Sequence, residues 1–329
     1  MPTVRRPSRR EFLGLAGAAG LAVVAAACKK NPVVVTPTAP AAPDSIKGLE
    51  RGATRLSFLS GYDASTPLAP GTNRIGFLLS LPPPSTSLLT GGSPQVWAAQ
   101  DDTSRALGPF AATWYPGNGY AATGDRSPKS PIAVGVFAAE VDLPQTGTWL
   151  VTATADVNGQ HGTADPAVLT VITGSIIGAP GSKAISVPTP VATTDAKIAA
   201  ICTRQPVCHL HAISLDAALR NGKPTVAVFA TPLLCQSQLC GPVTDEVILV
   251  AEKLGSKANF IHVEEFLPGP DHKPDANAGT AEGQSPAFKA WHLLTEPWVF
   301  VMDPKGTIAF SAFGMAGAPE IEAAVRKLL

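Results

Sequence analysis

The sequence is short of one-signed charge, of long apolar runs and of cysteine. Formal net charge is zero, with 25 basic and 25 acidic side chains, and the absence of a basic stripe argues against nucleic acid as a partner. Residues 1–27 hold four arginines and one glutamate, so the remainder carries a net of −3. The apolar stretch from Phe12 to Ala27 is sixteen residues long and is broken by Gly14, Gly17 and Gly20. A stable membrane span needs roughly 20. No cysteine lies between Cys28 and Cys202, which leaves no disulfide for whatever the intervening residues build.

What is present is 45% apolar residues, 32 prolines and 30 glycines in 329 positions. That is enough chain for two packed domains joined and flanked by extended segments. Five cysteines is an odd count, and placement explains it. Cys28 stands alone after the N-terminal apolar run, whereas Cys202/Cys208 and Cys235/Cys240 form two close pairs. In an exported chain such pairs read as two disulfides, or as one structural and one redox-active pair, with three connectivities formally open.

Residues 1–28 read as a targeting segment. Ser8-Arg9-Arg10-Glu11-Phe12-Leu13 resembles the twin-arginine export motif, and Val24-Ala-Ala-Ala-Cys28 resembles a bacterial lipoprotein cleavage box with Ala25 where Leu is usual. The resemblance implies lipidation of Cys28 and a protein held outside the bacterial cell membrane by an acyl anchor. An uncleaved anchor and an ordinary secretory signal are the alternatives. Residues 29–49, rich in Pro, Ala and Thr, read as an extended tether.

Residues 50–175 read as an all-β domain. Strand-like runs begin at Arg55, Arg74, Gln95, Gly135, Thr148 and Ala167, separated by Gly, Pro, Asn and Asp clusters with no helix pattern between them. Alternating apolar residues at Val141, Leu143, Trp149, Val151 and Ala153, around Pro144-Gln-Thr-Gly147, predict a hairpin with one buried face. Several short strands over this length suggest an immunoglobulin-like sandwich. The Leu-Pro-x-x-Gly-x-Trp pattern resembles β-sandwich modules of bacterial envelope proteins. No catalytic constellation appears here. Residues 176–200, with Pro180, Pro188 and Pro190, read as an inter-domain linker.

From residue 201 a different order follows. Cys202 and Cys208 bracket a proline turn, and their spacing suits a structural disulfide pinning this segment to the next domain. A brief helix is expected after Ser214. Then come a strand through Val226–Phe229, a loop with Cys235 and Cys240, and a helix from Gly241-Pro242 whose apolar positions Val243, Val247, Val250 and Leu254 recur at helical spacing. Two cysteines between a strand and a helix N-terminus sit where a thiolate is stabilised. A strand from Asn259, a helix from Ser285, strands at Trp298–Met302 and Thr307–Phe313 and a final helix from Pro319 complete the pattern.

Three local features, the Cys240-Gly241-Pro242 loop, Thr295-Glu296-Pro297 and Val301-Met-Asp-Pro-Lys-Gly306, make residues 201–329 resemble an α/β thioredoxin-like fold of the bacterial envelope. The resemblance implies a cis bond before Pro297, with that proline beside redox cysteines. It implies thiol–disulfide exchange on exported protein thiols or disulfides by Cys235, Cys240 and Pro297, with no cofactor. The motif departs from the family pattern, because Val243 stands where a resolving cysteine is usual. Cys235 and Cys240 are instead separated by four residues. Two other readings remain. One is a non-enzymatic binding module in which both pairs are structural. The other resembles Sco-type copper chaperones, with copper on Cys235, Cys240 and a histidine. Neither pair has the spacing of a closed zinc site, and no resident metal is assigned.

Overall fold

A computed structural model describes residues 44–62, 66–85, 87–117, 135–174, 178–235, 237–269, 273 and 276–329. Cys28, the export signal and most of the tether lie outside these residues. The tether's end is a helical turn, α1 (Ile46–Leu49), whose N-cap Ser45 accepts a 3.0 Å bond from the Gly48 amide. Ile46 buries against Ala99 and Ala106.

Eight strands follow: β1 (Thr54–Ser60), β2 (Gly71–Ser80), β3 (Gln95–Ala99), β4 (Leu107–Pro116), β5 (Gly135–Leu143), β6 (Gly147–Val157), β7 (Gln160–Ala164) and β8 (Ala167–Val171). They neighbour in the order β3-β4-β5-β2-β1-β7-β6, and β6 pairs back onto β3. Seven strands therefore close a barrel, mixed because β1 and β7 run parallel. β8 pairs with the first half of β6 beside the ring.

This overturns the immunoglobulin-like sandwich. The two strands not predicted from the sequence, β4 and β7, are the ones that close the ring. β4 carries Pro109 and Pro116 and is largely exposed, and β7 is Gln-His-Gly-Thr-Ala. Proline and glycine both argue against a strand interior. β4 turns a corner: its first half pairs with β3 and Ala112–Pro116 with β5. β1 does the same, with Thr54–Leu56 on β7 and Ser57–Ser80 opening its register with β2. Such corner strands convert two facing sheets into a closed one.

The expected β5–β6 hairpin is also corrected. β5 pairs with β2 and β4, while β6 pairs with β3, β7 and β8. The alternation was nevertheless informative, because Val141, Leu143, Trp149, Val151 and Ala153 all point into the one barrel core. Both strands face inward across it, without touching edge to edge.

The second half is an open four-stranded sheet. Its elements are α2 (Asp195–Ile198), α3 (Leu215–Ala218), β9 (Thr225–Phe229), α4 (Cys240–Leu254), β10 (Asn259–Val263), α5 (Pro286–Ala290), β11 (Trp298–Met302), β12 (Ile308–Phe313) and α6 (Ala318–Arg326). Strand order is β10-β9-β11-β12, with β9 and β10 parallel and the others antiparallel. All five residues of β9 are buried, so it reads as a continuous apolar run. The layered α/β thioredoxin-like fold expected here is not formed as such, because helix is sparse. α4 has 15 residues and α6 nine, but α3 and α5 have four and five. α5 starts at Pro286 after its N-cap Ser285 and stops before His292, whose φ is 48°, and Phe288 and Trp291 fill that face with aromatic bulk instead of helix length.

The linker is not loose where it is described. The Gly181 amide donates to the Ile308 carbonyl at 2.8 Å and the Ile308 amide to the Ser182 carbonyl at 2.9 Å, so this segment runs along β12.

The barrel and the second sheet meet over a buried ion pair. Arg74 of β2 and Glu320 of α6 form a two-pronged bridge, 2.6 and 2.7 Å, with side chains 5% and 8% exposed. Arg74 also donates to the Met315 carbonyl at 3.1 Å. Removing one partner of a buried pair strands the other charge, at a cost of about 3–5 kcal/mol. Arg74→Met should lower unfolding free energy in urea by about that much, and adding Glu320→Leu should restore most of it.

Candidate functional site

The site grows from the end of β9. Beyond Phe229 the chain leaves the sheet at Ala230-Thr231 and loops to Cys240, the first residue of α4. Cys235 and Cys240 are joined as a disulfide, with Cα atoms 5.9 Å apart. Cys240 is buried and Cys235 half-buried. The Cys240 amide donates to Cys235 Sγ at 3.2 Å, and Ser237 Oγ lies 3.3 Å from the same sulfur. A thiolate on Cys235 would thus meet the donor end of a helix.

The opposite wall comes from the approach to β11. The Glu296–Pro297 peptide is cis, as expected from the sequence. The Glu296 carboxylate and both sulfurs lie within 4.8 Å of one another. Glu296 as a residue is half-buried, but its Oε2 is shut off from solvent and has no hydrogen-bond partner among the described residues. Burial, followed by repulsion from Glu265 and Glu264, pushes its carboxyl up to about 8. A neutral carboxylic acid beside a disulfide is a proton donor placed to meet a departing thiolate.

Sequence reasoning pointed to Pro297 and missed Glu296, whose carboxylate is the group brought to the sulfurs. The available signal was a charged residue at the mouth of an apolar strand, in Thr295-Glu296-Pro297-Trp298. The copper reading needs a histidine beside Cys235 and Cys240. Among the described residues the third ligand-type group there is Glu296.

The Cys202–Cys208 disulfide is a further correction. Both residues are free thiols with sulfurs 3.7 Å apart, against about 2.05 Å for a bonded pair. His262, on β10, has Nδ1 at 3.3 Å from Cys208 Sγ and 3.7 Å from Cys202 Sγ. Its Nδ1 faces both thiols. Of the other histidines, His209 is exposed near Asp195, His292 is exposed after α5, and His272 lies outside the described residues.

Comparison with protein-family models and with curated proteins found no match. Among solved structures, one that is similar is a thiol:disulfide interchange protein of the thioredoxin family from Chlorobium tepidum TLS. It is 18% identical, with a TM-score of 0.27, and the match covers 44% of this chain and 99% of the other. The likeness to a thioredoxin-family protein is weak, and the geometry of the site carries the functional reading.

Glu296 titrates from its ordinary 4.5 in the unfolded chain to about 8 in the folded one. The folded state therefore holds the extra proton between those values, and stability contributed by this group falls as pH rises through them, by up to about 1.4 kcal/mol per pH unit. Glu296→Gln removes that slope. Urea unfolding across this window should show the variant gaining on the parent as pH rises, with no gain below pH 4.5.

Proposed function

We propose that the chain exchanges disulfides with exported proteins through Cys235 and Cys240, working outside the cell membrane on a lipid anchor at Cys28. The observation that carries this reading is a half-buried sulfur bonded to a buried one, at a helix start, beside a carboxyl held neutral. Residues 1–28 support the location through the twin-arginine-like and lipobox-like motifs.

A substrate thiolate attacks Cys235 Sγ, the accessible atom. The Cys235–Cys240 bond breaks and its electron pair leaves on Cys240 Sγ. Glu296 gives that sulfur its proton, which removes a charge from a buried site. A second substrate thiol then attacks the mixed disulfide, releasing Cys235 as the thiol and leaving the substrate oxidised. Run backwards, the same steps reduce a substrate disulfide, with Glu296 taking the proton from Cys240. Pro297, next to Glu296, would line the groove in which the substrate strand lies. The Cys240 amide at the helix start stabilises the charge that develops on Cys235 Sγ as the mixed disulfide breaks.

Cys235→Ser and Cys240→Ser should each abolish exchange with a dithiol peptide, followed by mass spectrometry of the alkylated products. Glu296→Gln should slow it by about 10²-fold. Rates normalised to substrate thiolate should also lose the fall that the parent shows near pH 8. Unchanged exchange in the serine variants would leave a binding module whose Cys235–Cys240 bond is a clip.

A further inference from the structure

A second cluster lies at the β10 edge of the sheet. β10 is an edge strand, and the segment from Cys202 to His211 lies against it, with the His262 amide donating to the Leu210 carbonyl at 2.8 Å. Four ligand-type side chains converge there: Cys202, Cys208, His211 and His262, each at most 3% exposed. Their donor atoms all lie within 4.8 Å of one another.

The spacing of those atoms is that of a coordination sphere. Zinc bonds of about 2.3 Å to sulfur and about 2.05 Å to nitrogen, set at tetrahedral angles, put two sulfurs about 3.8 Å apart and a sulfur–nitrogen pair about 3.6 Å apart. Here the sulfurs are 3.7 Å apart, and the measured sulfur–nitrogen separations are 3.3, 3.7 and 3.5 Å, the last from Cys208 Sγ to His211 Nε2. A disulfide would need the sulfurs at about 2.05 Å.

The surrounding contacts fit a ligand histidine. His262 turns Nδ1 toward the sulfurs and places Nε2 2.9 Å from the Ala230 carbonyl and 3.5 Å from Glu264 Oε1. The carbonyl calls for a proton on Nε2 and leaves Nδ1 as the atom that would ligate, the arrangement that orients metal-bound histidines. Glu264 is itself held by the Thr203 amide and hydroxyl at 2.6 and 2.8 Å, next to Cys202. A cavity of about 370 Å³ adjoins both imidazoles, which gives an ion a way in.

We propose that Cys202, Cys208, His211 and His262 bind a zinc-class divalent ion in a closed tetrahedral site. Binding releases protons to solvent until the cluster holds two thiolates and two neutral imidazoles, which around the dication make a centre of zero net charge. Such a centre is one the buried edge can hold without an uncompensated ion. Four protein ligands leave no open position, so the ion pins the Cys202–His211 segment to β10 and takes no part in the exchange chemistry.

The test uses the chain after reduction under argon, titrated with Co²⁺ as a spectroscopic stand-in. One ion per chain is expected, with thiolate-to-cobalt charge transfer and the intense visible bands of tetrahedral Co²⁺. The same spectrum should appear in Cys235→Ser/Cys240→Ser, and be lost in Cys202→Ser/Cys208→Ser. Should the latter variant fail to fold, a second readout needs no change at these ligands. In Cys235→Ser/Cys240→Ser, Zn²⁺ should block alkylation of both Cys202 and Cys208, read by peptide mapping. Absence of the cobalt spectrum in the reduced parent, its survival in Cys202→Ser/Cys208→Ser, or unimpeded alkylation with zinc present would each overturn the proposal.

Discussion

The functional end of the molecule depends on the parallel pairing of β9 with β10. Its register sets Phe229 opposite Val263, and both strands then continue past the sheet together. Ala230 thereby offers its carbonyl to His262 Nε2, and Thr231 Oγ1 accepts from the Glu265 and Phe266 amides at 2.8 and 3.2 Å. A slip of one residue would reverse every side chain on β10, taking His262 to the opposite face and Ile261 out of the aromatic core. The register is protected by burial. Val226 and Val228 sit in one apolar cluster and Ala227 and Phe229 in the other, so neither face of β9 tolerates a shift.

Past that register the problem is carboxylate charge. Glu264, Glu265 and Glu296 crowd into one region, and burial raises each of them. They are handled differently. Glu264 is gripped by Thr203, and Glu265 accepts a 2.8 Å bond from Gln284. Glu296 has an oxygen with no such partner among the described residues. The acid beside the disulfide is held neutral by burial first, and then by repulsion from Glu265 and Glu264.

Most of the element order was legible in the sequence, because apolar periodicity reports which residues face a core. Val243, Val247 and Val250 announced α4, and the run through Val226–Phe229 announced a buried strand. Periodicity does not report pairing, which is why β5 and β6 read as a hairpin although both merely face the same interior. Nor does it reveal strands rich in proline, glycine and exposed residues, and β4 and β7 are of that kind. The cysteine/histidine cluster failed for another reason. Cys202, Cys208 and His211 are local, but His262 is supplied by a strand more than fifty positions away. No spacing rule spans that gap. Glu296 was visible as a letter and not as an acid held neutral, because its state depends on burial in the fold and on Glu264 and Glu265 brought beside it.

The barrel bears on the packing around the disulfide even though it carries none of that site's atoms. Trp298 follows Pro297 and stacks on Phe300, while its other contact is Phe313, with ring centroids 5.0 Å apart. Phe313 in turn belongs to the barrel core and meets Tyr62 edge-on at 5.5 Å. Tyr62 donates to the Arg74 carbonyl at 2.8 Å, and Arg74 holds Glu320. A continuous path of packed groups thus runs from the interdomain ion pair to the residue beside Pro297. Aromatic groups in such a path cannot shift singly without opening voids, and interiors this dense resist that. The residue that follows Glu296-Pro297 is accordingly packed from the barrel side.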